Sequence, residues 1–286
     1  MSRQGESLLR SWIDYYRDLG VHEFYRIGEP IFVAMDLPSK GSAETTVADD
    51  SVALAVEVDP THSISEIHTV PPVNLRSFNE LAPLPAALVP TAERESVLLA
   101  IQQEIGDCTR CPLAYAGRRK VVFGDGSPTA RLMFVGEGPG ADEDAQGIPF
   151  VGKAGQLLNN MIGAMGLSRT EVYIANIVKC RPPGNRVPEP VEANTCSQFL
   201  VRQMDVVQPE VIVALGATAA TYLLGVKQSL ISLRGRWHSC RGAKLAVTYH
   251  PAFLLRDPRQ KVEAWKDLQM VMRELGLTPP AAKNNP

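Results

Sequence analysis

The 286-residue sequence lacks a hydrophobic run long enough to cross a membrane. Its longest, VIVALGATAATYLLGV from Val211 to Val226, falls short of the ~18 residues a span needs and is interrupted by Gly and Thr. It reads instead as a buried strand, a turn and a helix. The first residues, MSRQGESLLR, lack the apolar core of a secretory signal. Cysteine is sparse and odd in number, at five, which argues against a disulfide framework. These absences point to the cytoplasm. Net charge is nearly missing too, at −2. It hides an asymmetry: residues 1–95 balance to −8, with 15 acidic and 7 basic side chains, and residues 96–286 to +6, with 22 basic and 16 acidic. The C-terminal two thirds therefore have the charge to meet a polyanion.

Residues 8–19, LLRSWIDYYRDL, place Leu8, Leu9, Trp12, Tyr15, Tyr16 and Leu19 at helical spacing. Residues 36–95 are rich in Ser, Thr, Pro, Asp and Glu without a period, and read as an acidic linker. We thus expect an N-terminal extension over 1–94, a folded domain over 95–276 and a tail over 277–286. Within the domain, apolar strands at 131–137, 172–178, 211–215 and 244–250 alternate with helices at 95–106, 153–165, 190–206, 217–224 and 260–275. That alternation predicts an α/β/α sandwich around a four-stranded parallel sheet. Ligands of such sheets bind beyond the carboxyl ends of the strands. There the sequence delivers Glu137 after the first strand, Asn176 in the second and His250 after the fourth.

The stretch GEGPGADEDAQGIPFVGKAG, from Gly136 to Gly155, raises the question of a phosphate cradle. Gly147 to Lys153 fits G-x4-G-K, but Ala154 stands where a P-loop needs Ser or Thr for Mg²⁺. Glu137, Asp142, Glu143 and Asp144 would repel a triphosphate. Cysteines are spaced C-x2-C at Cys108 and Cys111, then, after 68 residues, C-x15-C at Cys180 and Cys196. Four thiolates suit either Zn²⁺ or an iron–sulfur cluster, and the spacing leaves both open. Cys240 is left over.

GEGPGADEDAQGIPFVGKAGQLL, NIVKCRPPGNRVP, LGATAA and YHPAFLLR, in this order and with the four cysteines, closely resemble the family 4 (iron–sulfur) uracil-DNA glycosylases. The resemblance spans about residues 95–275. It implies a [4Fe-4S] cluster on Cys108, Cys111, Cys180 and Cys196. It also implies hydrolysis of the uracil–deoxyribose bond in single- or double-stranded DNA for base excision repair, by a nucleoid-associated monomer. Under it Phe150 stacks on the flipped base, Asn176 reads its Watson–Crick edge, and Glu143 crowds C5 to exclude thymine. His250, with the turn at Glu137 and Gly138, stabilises the leaving anion, and Glu137 or Asn185 handles water. Phe253, Leu254 and Leu255 wedge into DNA, and Arg181, Arg186, Arg234, Arg236 and Arg256 contact phosphates. Two alternatives are a relative that captures uracil-DNA covalently and a non-enzymatic, metal-stapled nucleic-acid-binding module. The covalent relatives carry a His in the loop after the third cysteine. Here that loop, RPPGNRVPEP, has none, which favours turnover.

Overall fold

A computed structural model describes residues 76–278; the helix expected over 8–19, most of the acidic linker and the tail from 279 lie outside the described residues. The four expected parallel strands are β2 (Leu132–Gly136), β3 (Tyr173–Asn176), β4 (Val211–Leu215) and β6 (Ala243–Thr248). All their residues except Lys244 are buried. Both faces of the sheet are covered, so these strands read as apolar runs rather than alternating ones. Met133, Val135, Ile212, Ala214, Leu245 and Val247 face one core, and Leu132, Phe134, Val211, Val213 and Ala246 face the other.

The sheet has six strands, not four, in the order β1-β3-β2-β4-β6-β5. The additions are edge strands, β1 (Asp125–Gly126) antiparallel to β3 and β5 (His238–Cys240) antiparallel to β6. At two and three residues they are too short to show a period of two. The leftover Cys240 is buried on β5.

Helices α1 (Phe78–Leu81), α2 (Arg94–Ile105), α5 (Pro190–Val207) and α6 (Ala217–Leu224) cover the first face; α4 (Lys153–Ala164) and α9 (Lys261–Leu275) cover the second. Their buried residues recur at helical spacing, as Gly155, Leu158 and Ile162 do on α4. Three short helices, α3 (Ala141–Gln146), α7 (Leu230–Leu233) and α8 (Pro251–Arg256), sit in loops.

Residues 76–93 fall within the stretch expected to be linker, yet they pack on the domain. Phe78 is buried in the first core. Arg241, itself buried, donates to the carbonyls of Phe78, Ala82 and Pro83 at 3.0, 2.7 and 2.9 Å and pairs with Asp205 at 2.6 Å. One cation thus satisfies three carbonyls that a Pro-rich segment cannot satisfy within itself.

Strand β2 pairs with β3 on one side and β4 on the other, so the chain reverses direction across the sheet at β2/β4. That switch point opens a crevice at the carboxyl ends, where such sheets bind ligands.

Candidate active site

The crevice is a cavity of about 510 Å³, within the range typical of small-molecule sites. It is bounded by the ends of all four parallel strands. Gly136 ends β2 in register with Asn176 at the end of β3. Its bare Cα is a geometric necessity: a Cβ there would lie 2.4 Å from Asn176 Oδ1 and 2.6 Å from Phe150 Cζ. Gly216 follows β4 at φ 91°, and a Cβ there would meet His250 Cβ at 3.0 Å. Two glycines therefore let Asn176, Phe150 and His250 converge.

Asn176 is buried, and its Oδ1 has no hydrogen-bond partner among the described residues. A buried unpaired acceptor is costly, by roughly 1–3 kcal/mol, and marks a site that expects a donor. Beside it, Phe150 is buried at φ 53°. That left-handed conformation costs an aromatic residue about 1–2 kcal/mol. Its ring lies 5.5 Å from the His250 ring, centroid to centroid, tilted by 33°. A flat apolar surface, a buried amide and an imidazole thus face one space.

His250 caps α8: its Nδ1 accepts from the Ala252 amide at 3.1 Å. With Nδ1 so occupied, the neutral ring carries its proton on Nε2. Burial first, then the charge of Arg256, lowers its pKa to about 4, against a smaller raising effect of Glu143. The imidazole is therefore a neutral donor at pH 7.

Glu143 also lines the cavity, and its carboxylate is bound to backbone. Oε2 accepts from the Gly140 amide at 3.0 Å, and Oε1 from Val151 and Gly152 at 3.0 and 3.2 Å. The acidic turn that suggested phosphate repulsion is thus a helix start whose carboxylates bind backbone. Asp144 does the same, accepting from Arg119 N at 2.8 Å. Lys153 opens α4 after Gly152, so the GK pair is a helix start. Glu137, Gly138 and Asn185 line the same cavity. Asn185 sits at φ 56°, its Oδ1 accepting from Arg181 Nε at 2.7 Å.

Several expected DNA contacts change place. Leu254 is buried against Tyr249 and Ala264, so it packs the domain and is no wedge. Phe253 is partly buried and stacked on Tyr249 at 5.1 Å; Leu255 is exposed. Arg234 is nearly buried, bonded to Asp267 at 2.8 Å and 4.1 Å above the Tyr249 ring, which removes it from any phosphate surface. Arg186 is taken up by Glu192 through a fork of 2.8 and 2.7 Å. Arg256 is exposed at the cavity mouth. Sequence reading assigned no site role to Ala217 and Thr218, which line the cavity after β4. The strand-end rule applied to Leu215 would have found them.

Cys108, Cys111, Cys180 and Cys196 line a second cavity, between α2, α5 and the loop after β3. Cys180 Sγ accepts from Arg118 Nη1 at 3.1 Å and Cys196 Sγ from the Lys179 amide at 3.3 Å. Burial pushes the Cys111 and Cys196 thiols up to about 11 and about 12. Among the described residues, no three His, Cys, Asp or Glu side chains are grouped to hold one metal ion.

The uracil DNA glycosylase superfamily model matches residues 123–269. A type-4 uracil-DNA glycosylase of Thermotoga maritima is 45% identical over 166 residues, which are 57% of this chain and 86% of that protein. Those of Sulfurisphaera tokodaii and Pyrobaculum aerophilum are each 40% identical, over 63% and 60% of this chain and 84% and 92% of theirs. The chain belongs to the uracil DNA glycosylase superfamily and, within it, to the type-4 uracil-DNA glycosylases. Membership makes it a DNA glycosylase that removes uracil from DNA. Among the described residues, no helix is long and apolar enough to cross a membrane.

Proposed function

We propose that the cavity at the β2/β4 switch point receives a uracil flipped out of DNA and that its lining residues break the bond to deoxyribose. The observation that carries this reading is the unpaired, buried Asn176 Oδ1 beside the Phe150 ring. Uracil N3–H supplies the missing donor, and Asn176 Nδ2 donates to O4. Cytosine presents the opposite pattern and leaves both groups unpaired. Phe150 stacks on the ring, and the backbone-pinned Glu143 forms a fixed wall at C5 against a thymine methyl.

The C1′–N1 bond breaks with its electron pair leaving on N1. Charge spreads to O2, where His250 Nε2–H donates to the developing anion as an oxyanion-hole group does. A neutral imidazole stabilises this anion without first losing a proton. Water adds at C1′ of the oxocarbenium-like sugar and gives up a proton, which ends on the uracil anion, with Glu137 and Asn185 lining the approach. Arg256 at the cavity mouth and the exposed Leu255 beside it meet DNA, from which the base is extruded into the pocket.

We assign a [4Fe-4S] cluster to the four cysteines that line the second cavity, since four thiols are the donor set such a cluster takes. The buried thiols hold their protons to high pH, so thiolates there need a cationic partner, and Arg118 and the Lys179 amide already point at two sulfurs. The cluster would staple the segment before β1 to the loop after β3. We count the described residues from Arg76 onward with the catalytic domain, since Phe78 belongs to its core.

The test is uracil release from single- and double-stranded oligonucleotides, with the visible spectrum of the purified protein. Alkali-cleavable abasic product and a brown chromophore are expected. No abasic product from either substrate would sink the glycosylase reading. A colourless protein with stoichiometric zinc would sink the cluster.

A further inference from the structure

The uracil-stacking reading requires Phe150 to hold a left-handed backbone. It is restrained from both sides, most extensively from behind. Arg169, in the turn before β3, donates Nη1 to the Phe150 carbonyl at 3.1 Å and Nη2 to the Pro149 carbonyl at 2.5 Å. The same guanidinium reaches Asn159 Oδ1 on α4 at 3.2 Å, and Nε pairs with Asp125 Oδ2 on β1 at 2.8 Å. The Phe150 carbonyl is also pressed onto α4 where a Cβ on Gly155 would lie 1.9 Å away. From the cavity side, Glu143 holds the amides of Val151 and Gly152. The 149–152 turn is therefore gripped by a cation on its carbonyls and an anion on its amides.

We infer that Arg169 is a positioning residue for the base-stacking ring: its fork on the Pro149 and Phe150 carbonyls fixes the Phe150 backbone so that the ring lies against the flipped uracil. This rests on the reading of Phe150 as the stacking residue. Lysine, a single point donor, cannot reproduce the fork that spans two carbonyls while holding Asp125. Charge-assisted hydrogen bonds are the stronger kind, and a misplacement of about 1 Å near a reacting group costs about a hundredfold in rate.

The experiment is a double-mutant cycle on the full chain with Arg169→Lys and Phe150→Ala, read by single-turnover uracil release. Affinity for abasic-site DNA and thermal melting serve as controls. Arg169→Lys is expected to slow release by roughly tenfold to a hundredfold, with abasic-DNA affinity unchanged, since that ligand has no base to stack. In the Phe150→Ala background the same substitution is expected to change release by less than about threefold. An equal slowing in both backgrounds would overturn the inference, because Arg169 would then act other than through the ring. So would near-native release by a folded Arg169→Lys enzyme. If Arg169→Lys does not fold, Asp125→Asn, which loosens the same guanidinium, replaces it under the same criteria. Native release by Phe150→Ala alone would instead overturn the stacking reading, which separates the two failures.

Discussion

Gly136→Ala tests the pocket at its tightest point. The added Cβ would sit 2.4 Å from Asn176 Oδ1 and 2.6 and 2.8 Å from two Phe150 ring carbons. Carbon contacts settle at about 3.5–4.0 Å, so each neighbour must retreat by about 1 Å. Neither retreats freely: Asn176 is locked in register on β3, and Phe150 is held by its turn. Overpacking of this kind costs about 1–3 kcal/mol of stability. Replacing a strand glycine by alanine returns about 0.5–1 kcal/mol of that through backbone entropy. The fold should therefore survive. Both base-reading groups are displaced, and a shift of about 1 Å at a reacting centre costs on the order of a hundredfold. The assay is single-turnover uracil release at saturating enzyme, with thermal melting to confirm folding and abasic-site DNA affinity as a control. A folded Gly136→Ala enzyme releasing uracil within about threefold of native would refute the placement of Asn176 and Phe150 at the base.

Asn176→Asp replaces the donor to uracil O4 with an acceptor and should lower uracil release by roughly 10³-fold or more; a loss under tenfold would count against Asn176 as the reader. His250 has a pKa of about 4 against an ordinary 6.5, so the unfolded chain binds the extra proton first as pH falls. Its contribution to stability is complete above about pH 6.5 and is lost towards pH 4, by on the order of 3 kcal/mol; urea titrations should show His250→Ser losing less stability over that window. His250→Ser should also slow the chemical step with abasic-DNA affinity intact, and a variant with native chemistry and abolished DNA binding would reverse the assigned role. Arg241→Met strands Asp205 and the carbonyls of Phe78, Ala82 and Pro83, and should cost about 3 kcal/mol. It should expose residues 76–83 to limited proteolysis while uracil release at low temperature stays near native; a loss of release in folded protein would tie that segment to catalysis.

The central fold was legible because its chemistry is local. Strands buried on both faces must be apolar throughout, and VIVAL and LMFVG declare that without reference to the rest of the chain. Glu137, Asn176 and His250 were legible one step further out, because a parallel sheet brings the carboxyl ends of its strands to one edge. What failed was long-range pairing. Arg234 looked like a free cation until Asp267, 33 residues on, closed on it. Leu254 looked like a wedge until Tyr249 and Ala264 covered it. Residues 76–93 looked like linker because their anchor, Arg241, lies 163 positions from the carbonyl of Phe78. Composition states what a side chain can bind and leaves open which partner arrives.

The same distinction decides how the acidic turn at 136–155 works. Its carboxylates suggested chemistry, yet Glu143 and Asp144 both satisfy backbone amides, work that an interior loop requires whatever its function. Its glycines suggested a phosphate cradle, yet Gly136 and Gly155 are where side chains would collide with Asn176 and Phe150. The pocket is therefore shaped by residues with no functional group and braced by those that have one. With Glu143 committed to its own wall, the Asn176 amide oxygen, unpaired among the described residues, and a histidine whose Nδ1 is occupied are left at the cavity. In the proposed reading these neutral groups meet a neutral base that becomes an anion only as its bond to the sugar breaks, and Glu137 is the carboxylate left for the water.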